Sequence, residues 1–243
     1  ILGGCEVIGI QDGFKWIMAG NRDKIKRLTI EDISRIHFSG GSCLGTARAN
    51  PTQKPEYLDA CLASLDALGV TKLITIGGDD TAFSALRLEQ RAQGRLQVVH
   101  VPKTIDNDLD LPHGIPTFGF QTARHIGVEL VKSLMVDAET TSRWYFVVTM
   151  GRKAGHLALG IGKAAGATLT IIPEEFRRKP IRLKTLVDIL VAAFIKRLAA
   201  GRSDGVAVLA EGLVEFLDER DLEGLDDVER DQHGHVRLAD GSL

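Results

Sequence analysis

The chain predicts an α/β fold, a Rossmann-like three-layer body around a mainly parallel sheet. Short runs rich in β-branched residues alternate with longer stretches of helical period, the pattern of successive βαβ units. Polar clusters containing glycine follow directly on several of those apolar runs. Glycine itself is in excess, 26 of 243 residues against 7 prolines, where an average chain carries about 7% glycine and 5% proline. An excess of that size calls for tight turns and close backbone approaches.

Strands are expected at residues 6–10, 72–76, 97–101, 144–149, 168–172 and 206–209, each short and β-branched or aromatic. Between them, Leu58, Cys61, Leu62, Leu65 and Leu68 recur at helical spacing. So do Ala123, Ile126, Leu130 and Leu134, and further on Leu183, Leu186, Leu190, Phe194 and Leu198. Each set predicts one buried helix face. Thr29 followed by Asp32 has the form of a capping box opening a short helix through Ile36, and Gly69 and Gly94 stand where helices should stop. From Asp218 onward the sequence turns acidic and irregular, which predicts surface loops.

Composition excludes several classes. With 30 basic against 32 acidic side chains and a net charge of −2, the chain is neither a basic nucleic-acid binder nor an acidic tail. At 44% apolar and 26% charged residues it can build a sizeable core. No apolar run approaches the ~18 residues of a membrane helix, and the amino end lacks a signal-peptide pattern. Cys5, Cys43 and Cys61 form no C-x-x-C pair, so a reducing compartment, the cytoplasm, is expected and a structural zinc site is not. The chain begins at Ile1 without a methionine, and both ends are read as cut edges of a longer protein.

The functional reading starts from position. Gly77-Gly78-Asp79-Asp80, the run from Pro102 to Asp108, Met150-Gly151-Arg152, and Glu211-Gly212 each follow an apolar strand. In a parallel sheet the carboxyl ends of the strands share one edge, where ligands bind. Carboxylates at Asp79, Asp80, Asp106, Asp108 and Glu211, with cations at Lys103 and Arg152, are therefore expected to converge. Arg48 and Arg143 lie near other loop ends. So many carboxylates need a cation among them, and Mg²⁺ accepts one or two together with phosphate oxygens. The backbone N–H groups of Gly77, Gly78 and Gly151 can approach an anion closely. The chemistry implied is phosphoryl transfer, although no G-x-x-x-x-G-K-[ST] loop is present. Gly160, Gly162 and Gly166 have the wrong spacing for a dinucleotide fingerprint and are read as helix-packing positions.

These motifs resemble the phosphofructokinases, in particular their diphosphate-dependent branch. GGDDTAFSA, PKTIDNDL, MGRKAGHLALG, the PEE at Pro173 to Glu175, the AEG at Ala210 to Gly212 and GGSCLGTARANP at Gly40 to Pro51 occur in the family's order. The resemblance implies a two-lobed fold, here incomplete. Residues 1–120 would be the larger, donor-binding lobe without its first βα unit, and 121–243 part of the sugar-phosphate-binding lobe. The missing ends lead to the expectation that this polypeptide alone turns over little.

By resemblance, Asp106 is the general base toward the sugar 1-hydroxyl, with Thr104 and Asp108 holding that end of the sugar. Asp79 is the Mg²⁺ ligand, and Arg48 neutralises the phosphoryl group in transfer. Met150, Gly151, Arg152 and Glu211 contact the sugar phosphate. Arg143 reaches a neighbouring subunit's substrate, which implies a homodimer or homotetramer. The donor turns on Asp80 and Lys103, both commonly glycine in ATP-dependent relatives. An Asp80 carboxylate would fill the room of a nucleotide's α-phosphate, and Lys103 would neutralise diphosphate. The implied reaction is reversible transfer from diphosphate to fructose 6-phosphate in sugar breakdown or synthesis. An ATP-dependent enzyme, an NAD or lipid kinase sharing the GGDDT turn, and a non-catalytic phosphofructokinase-like subunit are the alternatives.

His125 and His156 are read as packing or capping residues, His233 and His235 as solvated loop, and Cys43 as buried.

Overall fold

The computed structural model describes residues 1–109, 111–112, 114–222, 228–230 and 236–238. His233 and His235 lie outside the described residues. The chain divides into two compact units, Ile1–Pro102 and Lys103–Leu243.

In the first unit, β1 (Ile8–Ile10) pairs antiparallel with β2 (Ile25–Arg27), a strand the sequence pattern did not reveal. Helix α1 (Ile30–Ile33) opens on the expected capping box. The Thr29 side chain accepts from the Asp32 N–H, and the Asp32 carboxylate accepts from the Thr29 N–H. It stops sooner than expected, and a separate 3₁₀ turn covers Ile36–Phe38. Helix α2 (Pro55–Ala67) ends in a Schellman motif. Gly69, at φ +69°, donates to the Asp66 carbonyl, and Val70 donates to that of Leu65. Strand β3 (Lys72–Gly77), helix α3 (Asp79–Ala92) and strand β4 (Gln97–Thr104) then form a βαβ unit. The two strands are parallel, in register from Lys72 opposite Gln97 to Gly77 opposite Pro102.

Cys61, Leu62 and Leu65 of α2 meet Leu88 and Ala92 of α3 and Leu73 of β3 around the buried Ile17. This core lies on one face of the strands. On the other, Ile74, Ile76 and Val99 are exposed, so β3 alternates between open and buried positions. Cys43, expected to be buried, is exposed. It sits in a glycine-rich segment without regular structure, where no amphipathic element draws a small apolar side chain inward.

The second unit begins inside β4, whose last residues pair in parallel with β5 (Phe118–Gly119), Lys103 lying opposite Phe118. Helix α4 (Phe120–Thr141), β6 (Trp144–Thr149), α5 (His156–Ala165), β7 (Leu169–Ile171), α6 (Leu183–Ala199) and β8 (Gly205–Ala210) follow. The strands form an all-parallel sheet in the order β6-β8-β7. Here the three-layer expectation holds. Val206, Val208 and Ala210 of β8 pack with α4 and α5. Leu209, like Leu186, Ile189 and Leu190 of α6, packs against a second cluster of Ile171, Ile181 and Leu213. Coverage on both faces explains why β8 reads as a continuous apolar run.

The buried face of α4 is rotated from the expected one. Ile126 and Leu130 are exposed, while Phe120, Val131 and Ala138 are buried. The stripe passes through Gly127, where an added Cβ would lie 2.3 Å from Ile161 Cδ1 of α5. Glycine marks the closest helix–helix approach, a contact that a pattern of apolar side chains cannot display. Gly162 has the same role toward β7, its missing Cβ leaving room for Thr170, and Gly160 makes room for Arg124 of α4, so the packing reading holds for these two, whereas Gly166, at φ +75° with nothing within 4 Å, is instead the cap that ends α5. Leu198, expected on the buried face of α6, is exposed at the last turn.

The loop expectation beyond Asp218 fails in part. Helix α7 (Glu219–Leu222) is followed by the antiparallel pair β9 (Val228–Arg230) and β10 (Val236–Leu238). Asp218 itself is buried, and its ion pair with Arg220 holds the carboxyl down at about 2. Among the described residues no helix is long and apolar enough to cross a membrane.

Candidate functional site

The best-defined polar cluster lies in the second unit, at the carboxyl edges of β4, β6 and β8. After β4 the chain turns through Thr104, Asp106, Asn107 and Asp108. Thr104 Oγ1 accepts the Asp106 N–H at 3.1 Å. Asn107 takes the left-handed conformation, φ +56°, one of few residue types that tolerate it. Its side-chain oxygen accepts the Thr117 N–H at 2.9 Å, and the buried Thr117 hydroxyl donates to the Thr104 carbonyl at 2.6 Å. The loop is thereby closed on itself. His156, the first residue of α5, adds an outside anchor. Its Nδ1 lies 2.8 Å from the Asn107 carbonyl, which can only accept, so that nitrogen carries the proton. His156 is thus an anchor of the Asp106 loop, a role beyond the packing or capping expected from sequence.

The register of β6 on β8 sets Thr149 opposite Ala210, so the loops that follow emerge side by side. Glu211 Oε1 accepts the Gly151 N–H at 3.2 Å, and the Gly212 N–H donates to the Gly151 carbonyl at 3.2 Å. Gly151 has φ +134°, and a Cβ there would meet the Ala154 carbonyl oxygen at 2.4 Å. A Cβ on Gly212 would meet the Arg152 carbonyl oxygen at the same distance. At the far end of the loop, Glu174 Oε1 accepts the Gly155 N–H at 2.7 Å. Two carboxylates therefore clamp the loop that carries Arg152. Glu174, Asn107 and Thr117 are positioning residues that sequence reasoning did not single out, although the PEE and PKTIDNDL motifs contained the first two.

Asp106 is half-buried, and burial holds its carboxyl above the ordinary carboxylate value. The negative charge of Asp108 pushes the same way, as does that of Glu211 more weakly, while the backbone N–H and the charge of Arg152 pull back. Asp108, Arg152 and Glu211 each act electrostatically on Asp106, which places these four residues near one another within this unit. A carboxylate of raised pKa beside a guanidinium is a proton acceptor next to an anion-holding group. Met150 and Arg143 are exposed, Arg143 at the foot of β6. Lys103 is exposed on β4, and among the described residues nothing pairs with it.

In the first unit, Gly77 ends β3 and Gly78 caps α3. Asp79 and Asp80 occupy the first turn of that helix, both exposed, where the helix dipole favours negative charge. Asp79 Oδ1 accepts the Asp80 N–H at 2.9 Å. The room at Gly77 is taken up by Thr81, whose Oγ1 would lie 2.3 Å from an added Cβ, so this glycine serves the strand-to-helix turn. Arg48 is exposed in a segment tied to α3 at Asn50, whose Oδ1 accepts from Ser84 at 3.5 Å. No group of three acidic, histidine or cysteine side chains could hold a metal among the described residues. A hard ion held by one carboxylate and by phosphate oxygens of a ligand needs no such group, and the Asp79 carboxylate keeps lone pairs for that purpose.

A parallel α/β scaffold with polar, glycine-shaped loops at its carboxyl edge defines a broad class of ligand-binding proteins. The chain belongs to the phosphofructokinase family, whose model matches residues 1–237. It is 56% identical to pyrophosphate–fructose 6-phosphate 1-phosphotransferase of Thermotoga maritima, covering 98% of this chain and 57% of that protein. An ATP-dependent 6-phosphofructokinase of Mycobacterium tuberculosis is more distant, 35% identical over 86% of this chain and 57% of its own length. The structure of phosphofructokinase from Saccharomyces cerevisiae superposes with a TM-score of 0.75 at 27% identity, covering 92% of this chain and 33% of that one. The chain thus spans little more than half the length of the curated relatives described here.

Proposed function

We propose that this chain carries the proton-accepting side of a diphosphate-dependent phosphofructokinase, acting in the cytoplasm on fructose 6-phosphate and inorganic diphosphate. The observation that carries this reading is Asp106, a half-buried carboxyl of raised pKa beside Arg152. High identity to a pyrophosphate-named relative supports the donor.

Asp106 accepts the proton of the sugar 1-hydroxyl as that oxygen attacks the terminal phosphorus of diphosphate. The new C1–O–P linkage forms, the bridging P–O bond breaks, and orthophosphate leaves. Asp108 and Thr104 hold the sugar end, while Arg152, with Met150, Gly151 and Glu211, engages the sugar phosphate. Lys103 and Arg48 offset negative charge on the donor, and Asp80 occupies the room of a third phosphate, with Gly78 at the helix start. Asp79 would hold Mg²⁺, which supplies charge neutralisation at the phosphate oxygens. Arg143 serves a neighbouring copy in a homodimer or homotetramer. Donor binding falls in residues 1–120 and sugar-phosphate binding in 121–243.

The test is Asp106→Asn in a polypeptide of the relatives' full length. Its kcat should fall by about 10²–10⁴ with KM for fructose 6-phosphate changed little, as for removal of a general base. Unchanged turnover overturns the assignment. Sugar binding without turnover in the unmutated protein favours a non-catalytic subunit, and preference for ATP overturns the donor.

A further inference from the structure

Between α4 and α5 the second unit has a cleft of about 520 Å³ lined by Asn107, Phe120, Arg124, His156, Leu159, Gly160, Lys163 and Ala164. Its charged groups, Arg124 and Lys163, are both cationic, the His156 imidazole lies beside them, and the lining contains no carboxylate. Among the described residues neither Arg124 nor Lys163 has an ion-pair or hydrogen-bond partner. Arg124 is half-buried, and its Nε is closed off from solvent without an acceptor. A guanidinium stripped of part of its water without a counter-charge carries a free-energy penalty that an oxyanion relieves.

The arrangement is built into the packing. A Cβ on Gly160 would lie 2.8 Å from Arg124 Cδ, so the glycine lets the arginine stem lie against α5. His156 is oriented by its Nδ1–H bond to the Asn107 carbonyl, which leaves Nε2 as its second polar atom. Phe120 and Leu159 add apolar walls beside the cations.

We propose that this cleft is a phosphate-binding site, taking the phosphate group of a small ester or free orthophosphate, distinct from the Asp106–Arg152 cluster. Arg124 and Lys163 supply fixed charge, and His156 links the bound group to the loop carrying Asp106. A ligand here therefore bears on that loop through the Asn107 carbonyl. The proposal concerns binding to this chain and stands whether or not the catalytic reading does.

The experiment is an NMR titration of the labelled chain with sodium phosphate and, separately, with glycerol 3-phosphate, sodium chloride being the ionic-strength control. Saturable shifts of the His156 ring and the Asn107 amide are expected with phosphate compounds and not with chloride. Arg124→Leu, which keeps the apolar packing, should weaken binding at least tenfold. Lys163→Glu, at an exposed position that cannot upset the core, should do the same. Arg152→Ala should leave the affinity within twofold. Tighter binding of the ester identifies an organic phosphate as the natural ligand and equal binding identifies orthophosphate, both supporting the site. Shifts that survive Arg124→Leu and Lys163→Glu, or that disappear in Arg152→Ala, overturn it. If Arg124→Leu does not fold, Lys163→Glu alone decides.

Discussion

Glu211 accepts the backbone N–H of Gly151 across 60 residues of sequence, joining the loops that follow β6 and β8. Because the two strands are adjacent and parallel, the bond joins loops that emerge side by side. The same carboxylate lies within electrostatic reach of Asp106, so it both shapes the Arg152 loop and raises the pKa of its neighbour. Glu211→Gln separates these effects, since an amide oxygen can still accept the Gly151 N–H. The Asp106 carboxyl should then titrate at lower pH, because one of the like charges opposing its ionisation is gone. Carbon-detected NMR of the Asp106 carboxyl measures this directly. An unmoved or raised titration midpoint would show that Glu211 does not act on Asp106 through charge.

Gly151→Ala is expected to be far more damaging than its single carbon suggests. The new Cβ would meet a backbone oxygen at 2.4 Å, and φ +134° is strained for any L side chain. Neither can be relieved by a rotamer change. A loss of about 2–4 kcal/mol is the scale for strain combined with a backbone clash, read as the shift of the urea midpoint. Gly69→Ala is a useful contrast, having a positive φ but nothing within 4 Å of the added carbon. It should cost only about 1 kcal/mol.

Asp106 links stability to pH. Its pKa is raised on folding, so the folded state favours the protonated form. The sign follows: this group favours folding most at low pH, and its contribution declines as pH rises from the unfolded value through the higher folded one. At neutral pH the ionised carboxylate is a liability. Asp106→Asn should therefore raise Tm slightly, while turnover in a polypeptide of the relatives' full length is lost. A lower Tm in calorimetry at pH 7 would mean that the carboxylate is well compensated.

The strands β3, β4, β6, β7 and β8 were legible because β-branched runs bounded by polar loops admit little else, whereas the short β2, β5, β9 and β10 carry no such run. Residues 144–149 of β6 are recovered without a shift at either end. The Gly151–Glu211 part of the cluster was legible because β6 and β8 are adjacent in one parallel sheet and their ends share an edge, whereas β4 belongs to another sheet, so the approach of its loop does not follow from that rule. What escaped the sequence was contact made by missing or backbone atoms. Gly127 carries the buried stripe of α4 without an apolar side chain to announce it. Asn107 and Glu174 act on partners 10 and 19 residues away, separations at which no local pattern forms. Cys43 and Asp218 exchange their expected environments. Hydrophobicity alone puts the cysteine inside and the acid outside, whereas ion pairing with Arg220 makes burial of Asp218 tolerable.

The three cysteines should separate by reactivity. Cys5 and Cys43 are exposed, while Cys61 is buried in the α2–α3 core, where burial pushes its thiol up to about 12. Only the thiolate attacks, so Cys61 is protected both by access and by protonation. A disulfide reagent at pH 8 should titrate two thiols in the native chain and three in denaturant. Fast reaction of a third native thiol would mean that the α2–α3 core opens on the assay timescale.

In the proposed reading, the donor preference rests on the first turn of α3. Asp80 is exposed there beside Asp79, so an incoming polyphosphate meets two carboxylates at a helix start that would otherwise attract it. Removing one of them by Asp80→Gly takes away both a charge and the volume that the side chain fills. Glycine at this position weakens the helix start by less than a kcal/mol, since it lies in the first turn where the N–H groups lack intrahelical partners. In a polypeptide of the relatives' full length the ratio of kcat/KM for ATP to that for diphosphate should rise at least tenfold, equivalent to about 1.4 kcal/mol of relieved repulsion and clash. The ratio matters more than either rate, because a general loss of stability lowers both donors alike. Parallel coupled assays with the two donors measure it, and a ratio that stays put would assign the discrimination to Lys103 or to residues outside this turn.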